Sequence, residues 1–306
     1  MNETIITVAE KQVPALYRAG IDLIKSIQSI ETSPLTALMH GITSLGSAYV
    51  YLVVIMIVFW CVDEKKGFHL GIVILLSAWI NVFLKALFMQ PRPYHIAPTV
   101  GRAFEESYGI PSGHAQLAVT FWMRIALWMR RRLVWLGAAV MVALISFTRL
   151  YLGLHFPTDL LAGWLIAGGI FTLDLLFARK ITALLLRVDM RTQFIITAFI
   201  ALAMNALYPS DKSLSALFFG FGTGYALMLK HIGFRADSIK RFLPRCARAL
   251  IGLVGAVLIY AGLALLLPDA SSAYYDLGRF VRYALLGLWV TAGAPFLFVR
   301  LGLAAH

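Results

Sequence analysis

The chain has 306 residues, of which 60% are hydrophobic and only 14% are charged, and its mean hydropathy is +0.80. Soluble domains carry about a quarter charged residues, so this composition excludes a soluble globular protein and predicts one that crosses a membrane several times. The net charge of +12 is also typical of nucleic-acid surfaces. In so apolar a chain we assign it to loops that orient the protein in a bilayer, and we expect no nucleic-acid partner.

The first predicted element is an amphipathic helix within an N-terminal segment that we bound at residues 1–43. Its apolar side chains recur at helical spacing, with charged side chains on the other side. The apolar set is Val13, Leu16, Tyr17, Ile21, Ile24 and Ile27. Two roles fit this pattern: a helix that lies in the membrane interface, or one that packs against a helix bundle.

Apolar runs of about 20 residues, the length that crosses a hydrocarbon core about 30 Å thick, recur nine times. The predicted fold class is therefore all-α, a polytopic membrane helix bundle of about nine transmembrane spans plus the N-terminal amphipathic helix. The predicted spans cover residues 44–62, 68–89, 112–130, 132–151, 156–178, 192–208, 213–229, 249–267 and 281–302.

The distribution of Lys and Arg predicts the orientation of these spans. More of these residues lie on the side that carries the loops at 63–67, 131, 179–191 and 230–248 and the C-terminus. By the positive-inside rule this side faces the cytoplasm. We therefore expect an integral protein of a bacterial inner membrane, with its N-terminus in the periplasm and its C-terminus in the cytoplasm.

Three polar stretches interrupt the apolar pattern, and the predicted topology places all three at the periplasmic ends of spans two to five. They read KALFMQPRP from Lys85, PSGH from Pro111 and TRLYLGLHFPTD from Thr148. Ionisable groups at this depth are costly, and they usually pair, line a cavity or take part in chemistry. Their recurrence on one face predicts a single site.

The cations of these stretches are suited to binding phosphate. Lys85, Arg92 and Arg149 supply three positive charges, and arginine presents a planar fork of donors that matches phosphate oxygens. Ser112 and Gly113 stand where the third span begins. Free backbone N–H groups and the helix dipole favour an anion there.

The two histidines would supply the chemistry. His155 and Asp159 are four residues apart, so a helix that begins near Pro157 would stack them on one face. A carboxylate on one imidazole nitrogen leaves the other nitrogen free to attack. His114 comes from another span and would protonate a leaving oxygen. These groups together suit in-line phosphoryl transfer.

In order and spacing the three motifs resemble those of the type 2 phosphatidic acid phosphatase (PAP2) superfamily, which also contains vanadium haloperoxidases and glucose-6-phosphatase. The resemblance covers about residues 40–178 and rests on these positions: Lys85, Arg92, Pro93, Pro111, Ser112, Gly113, His114, Arg149, His155 and Asp159. One departure is Thr148, which stands where the family often has serine and keeps the hydroxyl.

The resemblance implies a role for each of these positions. His155 would be the nucleophile that forms a phosphohistidine, Asp159 would orient it, and His114 would be the general acid. The phosphate ligands would be Lys85, Arg92, Ser112, Gly113 and Arg149. The resemblance also implies that the reaction needs no metal and no cofactor, and the sequence has no carboxylate cluster with metal spacing.

The implied function is an integral membrane phosphatase that acts on a lipid phosphate monoester or diphosphate from the periplasmic side. Its partners would be the bilayer and a lipid of the phosphatidate, phosphatidylglycerophosphate, sphingoid phosphate or polyprenyl diphosphate type, and the sequence leaves the oligomeric state open. We expect residues 44–178 to form a catalytic core of five spans and residues 179–306 a four-span extension of unknown role. The nine-span layout is similar to those of glucose-6-phosphatase and the sphingosine-1-phosphate phosphatases.

Three alternatives fit the same motifs. The protein would be a lipid-linked phosphotransferase that uses the same histidine, a phosphatase of a soluble sugar phosphate, or a lipid transporter or flippase with a PAP2-like core.

The loop between the first two motifs would either shape a headgroup pocket or be solvated, and the sequence favours solvation. The residues of this loop that we expect to be solvated are Tyr94, His95, Arg102, Glu105, Glu106 and Tyr108.

Overall fold

The computed structural model describes residues 14–269, 271–272 and 274–305. The secondary structure of this part of the chain is helical, without a β-strand, which confirms the predicted all-α class. The helices are α1 (Ala15–Gln28), α2 (Ser33–Ser44), α3 (Ala48–Cys61), α4 (Glu64–Phe88), α5 (Pro93–Ile96), α6 (Gly113–Met129), α7 (Arg132–Tyr151), α8 (Pro157–Leu185), α9 (Met190–Leu207), α10 (Ser213–Leu227), α11 (Phe242–Leu265), α12 (Tyr275–Leu288) and α13 (Ala294–Arg300).

Each predicted span coincides with a helix, but the helices differ in how well they would cross a membrane. Within the described ranges, six helical segments are long and apolar enough to do so, and the bent pair α2 and α3 would make a seventh. The helices α6 and α10 are shorter, with 17 and 15 residues. The membrane bundle is thus supported, while the count of nine spans stays a prediction.

The contacts within the chain divide it into two compact units. The first unit contains residues 14–51 and Ile80–Leu173, and the second contains Leu52–Trp79 and residues from Asp174 onward. All three motifs lie in the first unit. The long helix α4 contributes residues to both units, so the division does not follow the order of the chain.

The amphipathic helix α1 packs against the protein of the first unit. Ile21 and Ile24 are buried in a cluster with Phe156. The amide of Gln28 donates to the carbonyl oxygens of Val100 and Tyr151, at 2.8 and 2.7 Å. This apolar face therefore covers protein, which is the second of its two predicted roles, although Leu16 stays 64% exposed. Residues 1–13 of the predicted segment, with Val13, lie outside the described residues.

Turns and helix starts bring the second and third motifs together. Arg130 has a φ of +49° and ends α6, so that α7 can return antiparallel to it. After α7 the chain turns at Gly153, where φ is +67° and a Cβ would lie 2.0 Å from the carbonyl oxygen of Val100. Only glycine fits this position. Pro157 then starts α8 in the first turn, where its missing N–H costs nothing.

In the second unit, α10 and α12 approach each other backbone to backbone. A Cβ on Gly220 would lie 1.9 Å from the carbonyl oxygen of Ala284, and one on Gly287 would lie 2.5 Å from the nitrogen of Phe221. Small residues allow membrane helices such close contact, which is how they gain packing energy where lipid tails are as apolar as their own side chains.

Candidate active site

His155 and Asp159 form a hydrogen-bonded pair where α8 begins. Asp159 lies in the first turn of α8 and is fully buried, with Oδ2 3.2 Å from Nδ1 of His155. The same oxygen accepts the N–H of Phe156 at 2.9 Å, and Oδ1 accepts the amide of Gln90 at 2.8 Å. Three donors therefore fix the carboxylate that faces the imidazole.

The second imidazole nitrogen of His155 faces an arginine. Its Nε2 lies 3.3 Å from Nη1 of Arg92. Because a guanidinium only donates, Nε2 accepts and the proton lies on Nδ1, towards Asp159. Burial, with the positive charges of Arg92 and Arg149, holds the pKa of His155 well below its usual value of 6.5. The imidazole is therefore neutral near pH 7 and carries a lone pair on Nε2.

The first turn of α6 offers donors to an anion. Ser112 precedes this helix and is buried, and its N–H donates to the carbonyl oxygen of Asp159 at 2.9 Å. Its hydroxyl has no partner among the residues described and does not cap the helix. A Cβ on Gly113 would lie 3.0 Å from Oδ1 of Asn81. The absence of a side chain at Gly113 makes room for Asn81, and the uncapped N–H groups of the first turn suit an oxyanion.

His114 comes from a different helix than His155 but shares its electrostatic surroundings. Its ring is close enough to interact electrostatically with Arg149 and Glu105. Its Cδ2 lies 3.2 Å from the point that a Cβ on Gly46 would occupy. A larger residue at position 46 would therefore press on the ring.

Lys85 of the first motif binds the backbone of the loop that leads into the second motif. Lys85 is 6% exposed. Its ammonium group donates to the carbonyl oxygens of Tyr108 and Gly109, the latter at 3.0 Å. The structure thus places Lys85 next to the PSGH motif, with its hydrogen bonds directed at the backbone.

The two arginines are fixed by groups of the first unit. Arg92 donates from Nε to the carbonyl oxygen of Ser107 at 2.6 Å and from Nη1 to that of Leu154 at 3.0 Å. Arg149 donates from Nη1 to the hydroxyl of Thr43 at 2.9 Å. Its buried Nε has no partner in the part of the chain that the structure describes. Both guanidinium groups are at most 1% exposed, so their orientation is well defined.

Glu105 links the two arginines, which the sequence did not predict. Its Oε2 accepts from Nη2 of Arg92 at 2.7 Å, and its Oε1 accepts from Nη2 of Arg149. Burial alone would raise the pKa of Glu105, but the charges of Arg149 and Arg92 lower it to about 2. Tyr94, also assigned to solvent, is only 7% exposed. The expectation that Tyr94 is solvated was wrong, and Glu105, although partly exposed, is paired with two arginines because the fold brings Arg149 to the loop.

Two more contacts of the site come from residues to which the sequence assigned no role. Gln90 holds Asp159, and Thr43 holds Arg149. The only signals for them were a polar side chain inside the first motif and one at the end of the predicted N-terminal segment. Within the described ranges, no three His, Cys, Asp or Glu side chains are grouped as metal ligands would be.

Comparison with known families identifies the superfamily of this chain. A family profile described as "PAP2 superfamily" matches residues 66–183, and one described as "PAP2 superfamily phosphatase, transmembrane extension" matches residues 213–306. The two matches together span more than half of the chain. The chain belongs to the PAP2 superfamily. The family resemblance inferred from the motifs is confirmed, and the protein is a membrane phosphatase of this superfamily.

Curated relatives share the PAP2 region with this chain. It is 29% identical over 163 residues to the undecaprenyl-diphosphatase of Sulfolobus acidocaldarius, which covers 49% of this chain and 74% of the relative. It is 29% identical over 190 residues to phosphatidylglycerophosphatase B of Bacillus subtilis, which covers 58% and 92%. A crystal structure of a transmembrane PAP2-type phosphatidylglycerolphosphate phosphatase from Bacillus subtilis has 26% identity and a TM-score of 0.48, over 58% of this chain and 94% of that one.

Proposed function

We propose that this PAP2 phosphatase removes phosphate from a lipid phosphate monoester or diphosphate, on the periplasmic face of a bacterial inner membrane. The observation that carries the proposal is the position of His155, whose Nδ1 faces Asp159 and whose Nε2 faces Arg92. This arrangement suits a neutral imidazole that attacks an electrophile bound by cations.

Two considerations favour a lipid substrate. The relatives named above are called an undecaprenyl-diphosphatase and a phosphatidylglycerophosphatase, and both names refer to phosphates carried on lipids. Two of the three motifs, the first and the third, lie at the ends of helices long enough to cross a bilayer. A lipid whose tail stays in the bilayer would bring its headgroup to this depth.

The first step transfers the phosphoryl group to the enzyme. The lone pair on Nε2 of His155 attacks the terminal phosphorus in line with the leaving oxygen, which is the ester oxygen of a monoester or the bridging oxygen of a diphosphate. A bond forms between nitrogen and phosphorus, and the bond from phosphorus to the leaving oxygen breaks. His114 donates its proton to that oxygen. Asp159 accepts a hydrogen bond from the Nδ1–H group and stabilises the positive charge that develops on the imidazole. Arg92, Arg149 and Lys85 stabilise the equatorial oxygens.

The second step restores the enzyme. A water molecule attacks the phosphohistidine, His114 takes a proton from the water, and the bond between nitrogen and phosphorus breaks. Inorganic phosphate leaves, and His155 is again a neutral imidazole. The donors of the first turn of α6, at Ser112 and Gly113, would bind phosphate oxygens throughout both steps.

Phosphate release by the purified full-length protein tests this proposal. His155→Ala should lower release from phosphatidate, sphingosine phosphate and undecaprenyl diphosphate by about 10⁴-fold or more, because the nucleophile is lost. The matched control is His40→Ala, which removes an exposed histidine of α2 and should leave the rate unchanged. A folded His155→Ala protein that keeps its activity would rule out this nucleophile. Activity on a soluble sugar phosphate alone would rule out the lipid substrate.

A further inference from the structure

The carboxylate of Glu105 lies where two guanidinium groups meet. It is the one side-chain acceptor through which the described structure joins Arg92 to Arg149. These arginines are also the residues that the proposed function assigns to the substrate phosphate. A carboxylate and an edge of a phosphate group present similar pairs of oxygens to guanidinium donors. The same donors are therefore suited to either anion.

Both arginines have hydrogen-bond partners besides Glu105. Arg92 is held from Nε and Nη1 by the carbonyl oxygens of Ser107 and Leu154, and Arg149 is held from Nη1 by Thr43. Departure of the carboxylate would leave these bonds intact. What it would remove is the negative charge that offsets two buried cations, which is costly unless another anion replaces it.

The side chain of Glu105 can leave while its backbone stays. The hydroxyl of Tyr94 donates to the carbonyl oxygen of Glu105 at 2.7 Å and accepts from its N–H at 3.1 Å. This double contact fastens the backbone of the loop. The Glu105 side chain itself is 32% exposed, so a rotation about its own bonds would carry the carboxylate to solvent.

We propose that Glu105 is an internal competitor for the phosphate site: its carboxylate occupies the Arg92 and Arg149 pair between turnovers, and the substrate phosphate displaces it. The proposal rests on the proposed function, since it uses the same arginines. An attached group competes at an effective concentration of about millimolar or more. Glu105 would therefore weaken the binding of every phosphate ligand, and its return after hydrolysis would help to expel inorganic phosphate.

Removal of the Glu105 carboxylate distinguishes competition with phosphate from structural support of the arginines. If Glu105 held the arginines in place, its loss would weaken phosphate binding. If it competes for them, its loss should strengthen phosphate binding. The two roles predict opposite signs of the same measurement.

In the experiment, the full-length protein in detergent is titrated with inorganic phosphate, and calorimetry measures the Kd. Glu105→Gln should lower the Kd for phosphate about tenfold, which equals about 1.4 kcal/mol. The matched control Glu106→Gln removes the same charge from the neighbouring exposed position and should leave the Kd within about twofold. In turnover, KM and the inhibition constant of phosphate should fall in parallel for Glu105→Gln.

A thermal signature accompanies this change in affinity. Without phosphate, Glu105→Gln should unfold at a lower temperature than the wild type, because its arginines lack an anion. Added phosphate should raise its unfolding temperature by more than it raises that of the wild type. If the glutamine variant does not fold, Glu105→Asp replaces it: the shorter side chain would not span both guanidinium groups, so phosphate should again bind more tightly.

Unchanged or weaker phosphate binding in the folded Glu105 variants would overturn the proposal. The binding measurement needs no turnover. Activity that persists in His155→Ala would therefore rule out the proposed nucleophile without deciding the role of Glu105. Failure of the proposed function and failure of the Glu105 proposal can thus be distinguished.

Discussion

Both units of this protein bury charged side chains, but they use them differently. In the first unit, Arg92 and Arg149 reach the same carboxylate, and Arg92 also reaches the nucleophile candidate His155. In the second unit, the buried groups serve the backbone: Arg248 donates to the carbonyl oxygen of Ala236, whose N–H donates to Glu64.

The difference shows that burial of charge does not by itself mark a site. Arg149 and Arg248 are equally buried, and each has an Nε without a partner among the described residues. What distinguishes Arg149 is the chemistry of its neighbours. The first unit brings together cations, the hydrogen-bonded pair of His155 and Asp159, and an uncapped helix start. Arg248 satisfies backbone groups and stabilises a loop, whereas Arg149 shares the carboxylate of Glu105 with Arg92, as the proposed phosphate site requires.

The largest expected difference between the two units is in the effect of replacing Arg149 or Arg248 by lysine. Arg149→Lys should lower kcat/KM about a hundredfold, because an ammonium group cannot donate in a fork to phosphate. Arg248→Lys should leave kcat of the folded protein within about twofold and lower its stability by about 1–3 kcal/mol, since backbone acceptors lose a donor. Phosphate release and thermal unfolding measure the two effects. Equal losses of kcat/KM in both variants would contradict the distinction.

A glycine of the second unit tests whether that unit contributes packing alone. Gly220→Ala would place a methyl group 1.9 Å from the carbonyl oxygen of Ala284, so the free energy of unfolding should fall by about 1–3 kcal/mol. In the control Gly262→Ala the added Cβ meets nothing within 4 Å, and the better helix former should stabilise α11 by up to about 1 kcal/mol. Unfolding in detergent measures both. A change in kcat of folded Gly220→Ala would show that the second unit does more than pack.

The smallest expected effect concerns the contact that orients Asp159 in the first unit. Gln90→Leu removes the amide that donates to Oδ1 and should lower kcat about fivefold, equal to about 1 kcal/mol. Gln90→Glu should cost more, because it sets one carboxylate against another. Steady-state rates of phosphate release check both variants. If kcat is the same in the wild type and in Gln90→Leu, this contact has no part in positioning the carboxylate.

The sequence was most informative where the relevant pattern is local. Apolar runs located a helix at each predicted span, because hydropathy over about 20 residues decides whether a segment enters the bilayer. The spacing of His155 and Asp159 anticipated their contact, although α8 begins only at Pro157, so that Asp159 reaches from the first turn of the helix back to the preceding residues. The amphipathic pattern of α1 left two roles open, and packing of Ile21 and Ile24 against the protein decided between them.

The sequence failed where contacts join distant parts of the chain. Glu105 meets Arg149 at a separation of 44 residues, and Thr43 meets the same arginine across 106. Nothing in the local pattern around Glu105 distinguishes it from its neighbour Glu106. A carboxylate in a loop between two cationic motifs was the only hint, and it fits a solvated residue equally well.

By itself, the amino-acid sequence determined the helical membrane architecture and the chemical groups available for phosphoryl transfer, because hydropathy and residue identity are properties of short segments. The tertiary structure alone decided which carboxylate faces the two arginines and which nitrogen of His155 faces Arg92. Those outcomes depend on how each helix is rotated and on the path that the 97–112 loop takes. Both are set by packing between residues far apart in the chain.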